Sequence, residues 1–183
     1  MYSFKDDIKS AISVLKSGGV ILYPTDTVWG LGCDACNANA VERLFQIKQR
    51  EDTKSMLVLV DSDFMIERYI KEVPEIAWQL IDVAEKPLTI IYPGARSVAP
   101  SLMAKDGSLA IRLSKEKFSS ELIGRFRRPV VSTSANISGA LSPSVFSEIS
   151  QEIINQVDYV VNYRQDDHTY SKPSEIIKIA LGG

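Results

Sequence analysis

The sequence predicts a single α/β domain in which helices cover one sheet. Predicted strands alternate with predicted helices along the chain, and the strands are apolar throughout rather than alternately apolar and polar. The length of 183 residues is roughly that of one domain. The chain also has no internal repeat, low-complexity tract or long linker at which a second domain could begin. We therefore expect residues 1–183 to form one domain.

Apolar spacing and end signals predict the individual elements. The first helix carries Ile8, Ala11 and Leu15 at helical spacing and stops before Gly18-Gly19. The predicted helices are 4–17, 39–50, a segment that starts at Pro74, and 145–157. The predicted strands are 20–23, 56–60, 88–92, 109–113, 130–132 and 159–162. The irregular stretches 93–107 and 164–174 are predicted to be loops that border a site.

Composition excludes several classes of protein. Lys and Arg total 21 and Asp and Glu total 23, so the net charge of −2 argues against a generally basic, nucleic-acid-binding surface. No apolar run approaches the ~20 residues that span a bilayer, and residues 1–10 do not resemble a signal peptide. Two cysteines cannot form a disulfide scaffold. We therefore expect a soluble cytoplasmic protein.

Common metal and nucleophile patterns receive little support. Cys33 and Cys36 form a lone CxxC, and a zinc site needs a second pair of ligands; a redox role stays open beside an ordinary pair of thiols. His168, the one histidine, lies in a polar run far from any nucleophile pattern, as a solvated loop histidine does. We therefore expect no metal site in the chain itself.

Three polar segments are harder to explain by packing alone. Residues 23–32 follow a predicted strand and contain hydroxyls, a carboxylate and two glycines, where open α/β sheets place ligand contacts; an ordinary turn is the alternative. Residues 47–54 place three cations after a helix, where they could hold a polyphosphate; a solvated helix end is the alternative. Residues 132–139 offer neutral donors and acceptors, or simply a capping turn.

Arg112 is a lone cation on the apolar strand 109–113. A buried, unpaired cation is costly, so Arg112 needs one compact anion. The carboxylate of a small substrate fits that role. An internal carboxylate that merely holds the fold is the alternative.

Together these segments make the chain resemble the YrdC/TsaC family of threonylcarbamoyl-AMP synthases. The likeness rests on PTDTVWGLGCDA at 24–35, KxR at 48–50, SLAIR at 108–112 and STSANISG at 132–139. It extends from Gly18 to residues 173–176, nearly the whole chain. The resemblance implies a YrdC-like twisted open sheet with a large central cavity, in the short form without a C-terminal extension domain.

The resemblance also implies the activity and the site. The protein would join L-threonine, bicarbonate and ATP into threonylcarbamoyl-adenylate and release pyrophosphate, and transferase proteins would then modify tRNA. ATP would be a substrate that arrives with Mg²⁺, and no tightly bound cofactor is expected. The implied residues are Lys48 and Arg50 for catalysis; Arg50, Lys54, Ser108, Asn136 and Ser144 for ATP; and Thr27, Arg112, Ser134 and Ser174 for threonine.

Some residues depart from the family pattern. Glu51 stands where proline usually follows KxR, Trp29 stands where tyrosine is common, and an arginine often found beyond the Pro-Ser motif is absent. A noncatalytic YrdC-like RNA-binding protein, which would bind tRNA or another structured RNA, is one alternative, and the net charge argues against it. A divergent carbamoyl-transfer paralogue is another, and the intact Ser-Ala-Asn sequence at 134–136 argues against that.

Overall fold

Eight strands and six α-helices make up the part of the chain that the computed structural model describes, residues 3–49 and 56–180. The helices are α1 (Phe4–Lys16), α2 (Ala38–Ile47), α3 (Asp63–Tyr69), α4 (Glu75–Val83), α5 (Lys117–Phe126) and α6 (Gln151–Ile154). The strands are β1 (Ile21–Tyr23), β2 (Gly30–Gly32), β3 (Leu57–Val60), β4 (Leu88–Tyr92), β5 (Leu109–Leu113), β6 (Val130–Ser134), β7 (Tyr159–Val160) and β8 (Glu175–Lys178). None of these helices is long and apolar enough to cross a membrane.

The strands form one mixed sheet in the order β7-β1-β2-β6-β3-β5-β4-β8. The pairs β7–β1, β3–β5 and β4–β8 are parallel, and the other four neighbours are antiparallel. Helices α1, α3 and α5 contact the sheet or each other. The predicted α/β class with helices against one sheet is thus confirmed.

Register divides the middle of the sheet into two faces. Val58 pairs with both Ile111 and Val131, so these three fully or almost fully buried side chains share one face. The opposite face alternates with it and carries Arg112, which pairs with Leu59 on β3 and Thr89 on β4. This second face is the one on which a cleft lined by Arg112 lies.

A buried carboxylate on the first helix binds β7 and the residues that follow it. Asp7 lies in the first turn of α1 and is 2% exposed. It accepts hydrogen bonds from the Tyr159 hydroxyl at 2.6 Å, from the Asn162 amide groups, and from the Tyr163 backbone N–H at 2.8 Å. Such a carboxylate is stable in the interior because every partner is a donor.

The structure differs from the sequence prediction at several elements. The helix predicted at 145–157 was wrong: a 3₁₀ turn at Phe146–Glu148 is followed by an extended Ile149, and Ser150 then caps the short α6. The helix predicted at 39–50 ends at Ile47. The prediction omitted β2, α3, α5 and β8.

Two glycines on β2 make room for a buried aromatic ring. A Cβ at Gly32 would lie 2.6 Å from Cε1 of Tyr23 and 2.8 Å from the backbone oxygen of Val131. The Tyr23 hydroxyl in turn donates to that same Val131 oxygen at 3.1 Å. At Gly30 the nearest atom to an added Cβ is the Ser132 hydroxyl, at 3.1 Å.

We predict that Gly32→Ala lowers the free energy of unfolding by about 1–3 kcal/mol, because the added methyl overpacks a ring and a backbone oxygen that cannot move away. Gly30→Ala should have a smaller effect, since a serine hydroxyl can rotate. Urea unfolding of both variants measures the difference. Equal losses would show that the Tyr23 contact is not the constraint on β2.

Candidate functional site

A cleft of about 190 Å³, lined by Arg112, several hydroxyl side chains and apolar residues, lies on the face of the sheet that carries Arg112. It is lined by all four residues predicted to bind threonine, which are Thr27, Arg112, Ser134 and Ser174. It is called the threonine cleft after this prediction. Adjoining clefts share Thr27 or Pro173 with it. The single large central cavity expected from the resemblance is not confirmed, because the described residues divide the space into these neighbouring clefts.

Strand register explains why residues so distant in sequence meet here. Ser134 on β6 pairs with Gly30 on β2, which places the Ser-Ala-Asn segment beside the segment that contains Thr27. On the other side, Arg112 pairs with Thr89, whose hydroxyl lies 2.7 Å from that of Ser174. The predicted threonine-binding residues therefore come together from two loops and two strands.

Arg112 is buried in this cleft beside an internal carboxylate. Its side chain is 3% exposed, and its Nη2 lies 2.9 Å from Oδ1 of Asp26. Burial raises the pKa of the Asp26 carboxyl, and the positive charge of Arg112 opposes that rise. The internal partner left open by the sequence is thus present, and a contact with threonine stays a prediction.

A directed chain of hydrogen bonds fixes the Thr27 hydroxyl. Thr25 donates its hydroxyl proton to the Val28 oxygen at 2.7 Å, so at the 3.1 Å contact between the two threonines Thr27 must be the donor. The Thr27 oxygen accepts from Nη2 of Arg112 at 3.1 Å. Since its one proton is committed, Thr27 can serve a ligand only as a hydrogen-bond acceptor.

Lys48 is buried against the loop that follows β6. It is 2% exposed, and its ammonium donates to the Ser134 oxygen at 2.6 Å and to the Asn136 backbone and side-chain oxygens. The Ser138 N–H donates back to the Lys48 oxygen at 2.9 Å. Lys48 therefore joins the end of α2 to residues 134–140, here called the Ser-Asn loop. Its catalytic role stays a prediction.

The three described residues predicted to bind ATP occupy different places. Asn136 uses its side-chain NH₂ group within the loop, donating to the oxygens of Ile137 and Ala140 at 3.0 and 2.7 Å. Ser144 lines a neighbouring cleft that also contains Thr27 and Trp29. The structure therefore places Asn136 and Ser144 near the threonine cleft. Their roles in binding ATP stay predictions.

Ser108 lies just before β5, outside the residues that line the threonine cleft. Its hydroxyl donates to Asp106 at 2.6 Å, and Lys178 donates to the same carboxylate at 2.6 Å. The bonds from Lys178 and Ser108 hold the pKa of Asp106 well below its usual range. Ser108 is thus joined to β8 through Asp106.

The predicted phosphate contacts Arg50 and Lys54 lie outside the described residues. Their roles stay predictions. Lys48, which precedes them, lies at the end of α2 beside the Ser-Asn loop, and Leu57, which follows them on β3, lines the threonine cleft.

The sequence predicted that residues 164–174 border a site, but not how this segment is anchored beside the cleft. The segment 161–174, here called the strap, joins β7 at one edge of the sheet to β8 at the other. Arg164 anchors the strap by donating to the Thr25 oxygen. Within the strap it also donates to the Asp167 carboxylate. Hydrogen bonds from Thr169 and Arg164 lower the pKa of Asp167 to about 2. Residues 173 and 174 line the threonine cleft. The predicted site-bordering role of 164–174 was the available signal.

Neither cysteine lines the threonine cleft. Cys33 is fully buried, which raises the pKa of its thiol, and the Cys36 sulfur lies 3.6 Å from the Tyr69 hydroxyl. Within residues 3–49 and 56–180, no group of three or more His, Cys, Asp or Glu side chains lies where it could hold a metal ion. His168 is exposed on the strap.

Comparison with known sequences gives consistent results. Residues 13–183 match the family model Sua5/YciO/YrdC, whose description is "telomere recombination". The chain is 33% identical to a threonylcarbamoyl-AMP synthase of Pseudoalteromonas translucida, over 99% of this chain and 97% of that one. It is 36% identical to a putative threonylcarbamoyl-AMP synthase of Methanocaldococcus jannaschii, over 96% of this chain and 83% of that one.

Solved structures show the same fold. Pyrococcus abyssi Sua5 complexed with L-threonine superposes with a TM-score of 0.86 at 26% identity, over 98% of this chain and 52% of that one, so this chain spans about half the length of that protein. E. coli YciO gives a TM-score of 0.82 at 26% identity, over 94% of this chain and 84% of that one. With a family model matched over residues 13–183 and relatives aligned over nearly the full length, the chain belongs to the Sua5/YciO/YrdC family.

Proposed function

We propose that this protein is a threonylcarbamoyl-AMP synthase, an enzyme that makes threonylcarbamoyl-adenylate and pyrophosphate from L-threonine, bicarbonate and ATP. The names of its curated relatives support this activity. The product would be passed to transferase proteins that modify tRNA. ATP is then a substrate, and Mg²⁺ would come with it.

The observation that carries the proposal is the cleft around Arg112. It combines one buried cation with six hydroxyl-bearing residues, three of which are Thr27, Ser134 and Ser174. A small α-amino acid with a hydroxyl side chain needs this combination: a cation for its carboxylate and neutral partners for its other polar groups. The relative with L-threonine bound, at 26% identity and a TM-score of 0.86, supports threonine as that ligand.

The chemistry requires positioning rather than a covalent nucleophile from the protein. In the proposed reaction, a carbamate oxygen of N-carboxylated threonine attacks the α-phosphorus of ATP, and the bond to the β-phosphate oxygen breaks to release pyrophosphate. The protein must align that oxygen and balance the negative charge that develops on the leaving group. Arg112 and Thr27 would hold threonine, and Arg50 and Lys54 would balance the phosphate charge.

The Ser-Asn loop would connect the two halves of the site. Ser134 lines the threonine cleft, and Asn136 would bind ATP. The ammonium of Lys48 binds the oxygens of both residues. Lys48 would thereby fix the distance between amino acid and nucleotide, which is the quantity that an in-line displacement depends on.

We predict pyrophosphate release that requires ATP, threonine and bicarbonate together, because threonine and bicarbonate form the attacking carbamate and ATP supplies the phosphorus that it attacks. Purified protein is incubated with each mixture, and pyrophosphate and the adenylate are detected. ATP turnover that continues without threonine would contradict the synthase proposal and favour a different nucleotide-dependent activity.

We predict opposite ligand effects for Arg112→Lys and Arg50→Lys. Lysine keeps the charge but loses the planar fork of donors, and one lost charge-assisted hydrogen bond corresponds to ~1.5–3 kcal/mol, or roughly 10- to 150-fold in affinity. Arg112→Lys should weaken threonine binding and spare ATP; Arg50→Lys should do the reverse. Calorimetric titration of folded variants decides this, and equal losses for both ligands in both variants would contradict the assignment.

We also predict that Lys48→Met loosens the Ser-Asn loop before any ligand binds, because the Ser134 and Asn136 oxygens lose a buried donor, at about 1–3 kcal/mol. Amide hydrogen exchange in residues 132–140 of the ligand-free protein should accelerate. Lys9→Met, at an exposed position on α1, is the matched control. Unchanged exchange with weakened ATP binding would instead show that Lys48 contacts the nucleotide directly.

A further inference from the structure

The charge of Arg112 is already balanced in the cleft, which limits what the cleft can select. Arg112 and Asp26 form an ion pair with an Nη2–Oδ1 distance of 2.9 Å, and their side chains are 3% and 11% exposed. An arginine without this carboxylate would give the cleft a full positive charge and would attract any anion. With Asp26 beside it, the buried pair has no net charge.

The pair is incompletely satisfied. Asp26 Oδ1 and Arg112 Nε are the two side-chain atoms, within residues 3–49 and 56–180, that are buried without a hydrogen-bond partner. The contact between the two side chains is therefore an attraction between charges rather than a well-aligned hydrogen bond. Buried groups in this state gain more than exposed ones from charges placed near them, because the surrounding dielectric is low.

Asp26 would act on a ligand in the threonine cleft through its electrostatic field, because it does not itself line that cleft. Arg112 lines the threonine cleft, whereas Asp26 lines the adjoining cleft that begins beyond Pro173, together with the exposed Lys86 and Lys172. Glu116 adds a second negative charge near Asp26. Arg112 thus faces a ligand in the threonine cleft directly. The carboxylate of Asp26, 2.9 Å from Nη2 of Arg112, lines clefts that also contain Lys86, Lys115 and Lys172.

We propose that Asp26 is a specificity-determining residue that makes this site favour a zwitterionic α-amino acid over a plain carboxylate of the same shape. The proposal rests on the proposed function, since it concerns the amino-acid substrate. A zwitterion brings one positive and one negative group to an oppositely charged pair, and both attractions are gained. A plain anion gains from Arg112 but is repelled by Asp26.

The test compares L-threonine with 2,3-dihydroxybutanoate of matching configuration, in which a hydroxyl replaces the ammonium. Their dissociation constants are measured by calorimetry at mildly alkaline pH for the wild type and for Asp26→Asn, which keeps the shape and removes the charge. We expect the preference for threonine over the analogue to fall at least 10-fold in the variant, or about 1.4 kcal/mol. This lower preference should result mainly from tighter binding of the analogue by the variant.

Controls separate this effect from damage to the fold. Asp158→Asn removes a carboxylate that pairs with Arg43 outside the cleft, and it should leave the preference unchanged. If Asp26→Asn does not fold, Asp26→Ser removes the charge with a smaller side chain. An unchanged preference in the folded Asp26 variant, or an equal loss of affinity for both ligands, would overturn the proposal. A wild type that binds neither ligand would contradict the proposed function itself.

Discussion

The buried ammonium of Lys48 holds together the parts from which the candidate site is built. An ammonium loses its hydration when it is buried, so the surrounding oxygens must replace that water. Here the oxygens belong to Ser134 and Asn136, and the Lys48 oxygen accepts from Ser138 in return. The backbone of the loop is therefore turned toward α2. That orientation leaves Ser134 beside Gly30 at the wall of the cleft.

The sequence predicted strands best where an apolar run decides the structure alone. Strands β4 and β5 have the predicted bounds because each is a mostly apolar run of five residues that are buried or half-buried. Strand β2 was missed because Gly-Leu-Gly has no such run, and its place depends on the Tyr23 ring lying across it. Helix α5 was missed although Phe118, Leu122 and Phe126 carry a helical spacing, so that omission was an error of interpretation.

The residues of the threonine cleft could be predicted from motifs, but their pairing could not. Thr27 and Arg112 are 85 positions apart and share a hydrogen bond only because the β1–β2 loop reaches β5 across β6 and β3, the two strands between β2 and β5. The same holds for Asp26, which looks like a turn residue in the sequence. Lys48 looked like part of a solvated or phosphate-binding charge run, because local sequence does not reveal which carbonyl groups will surround an ammonium.

The strap and the two edge strands all come from the last part of the chain. Strands β7 and β8 close opposite edges of the sheet, and the strap between them passes over the cleft. During synthesis, β1 and β4 therefore remain open edges until residues 159–178 have left the ribosome, and open edges are the places where sheets pair with the wrong chain. A molecule that ended before residue 159 would lack both edge strands and part of the cleft wall at once. The wall of the cleft is thus complete only in chains whose translation has passed residue 176.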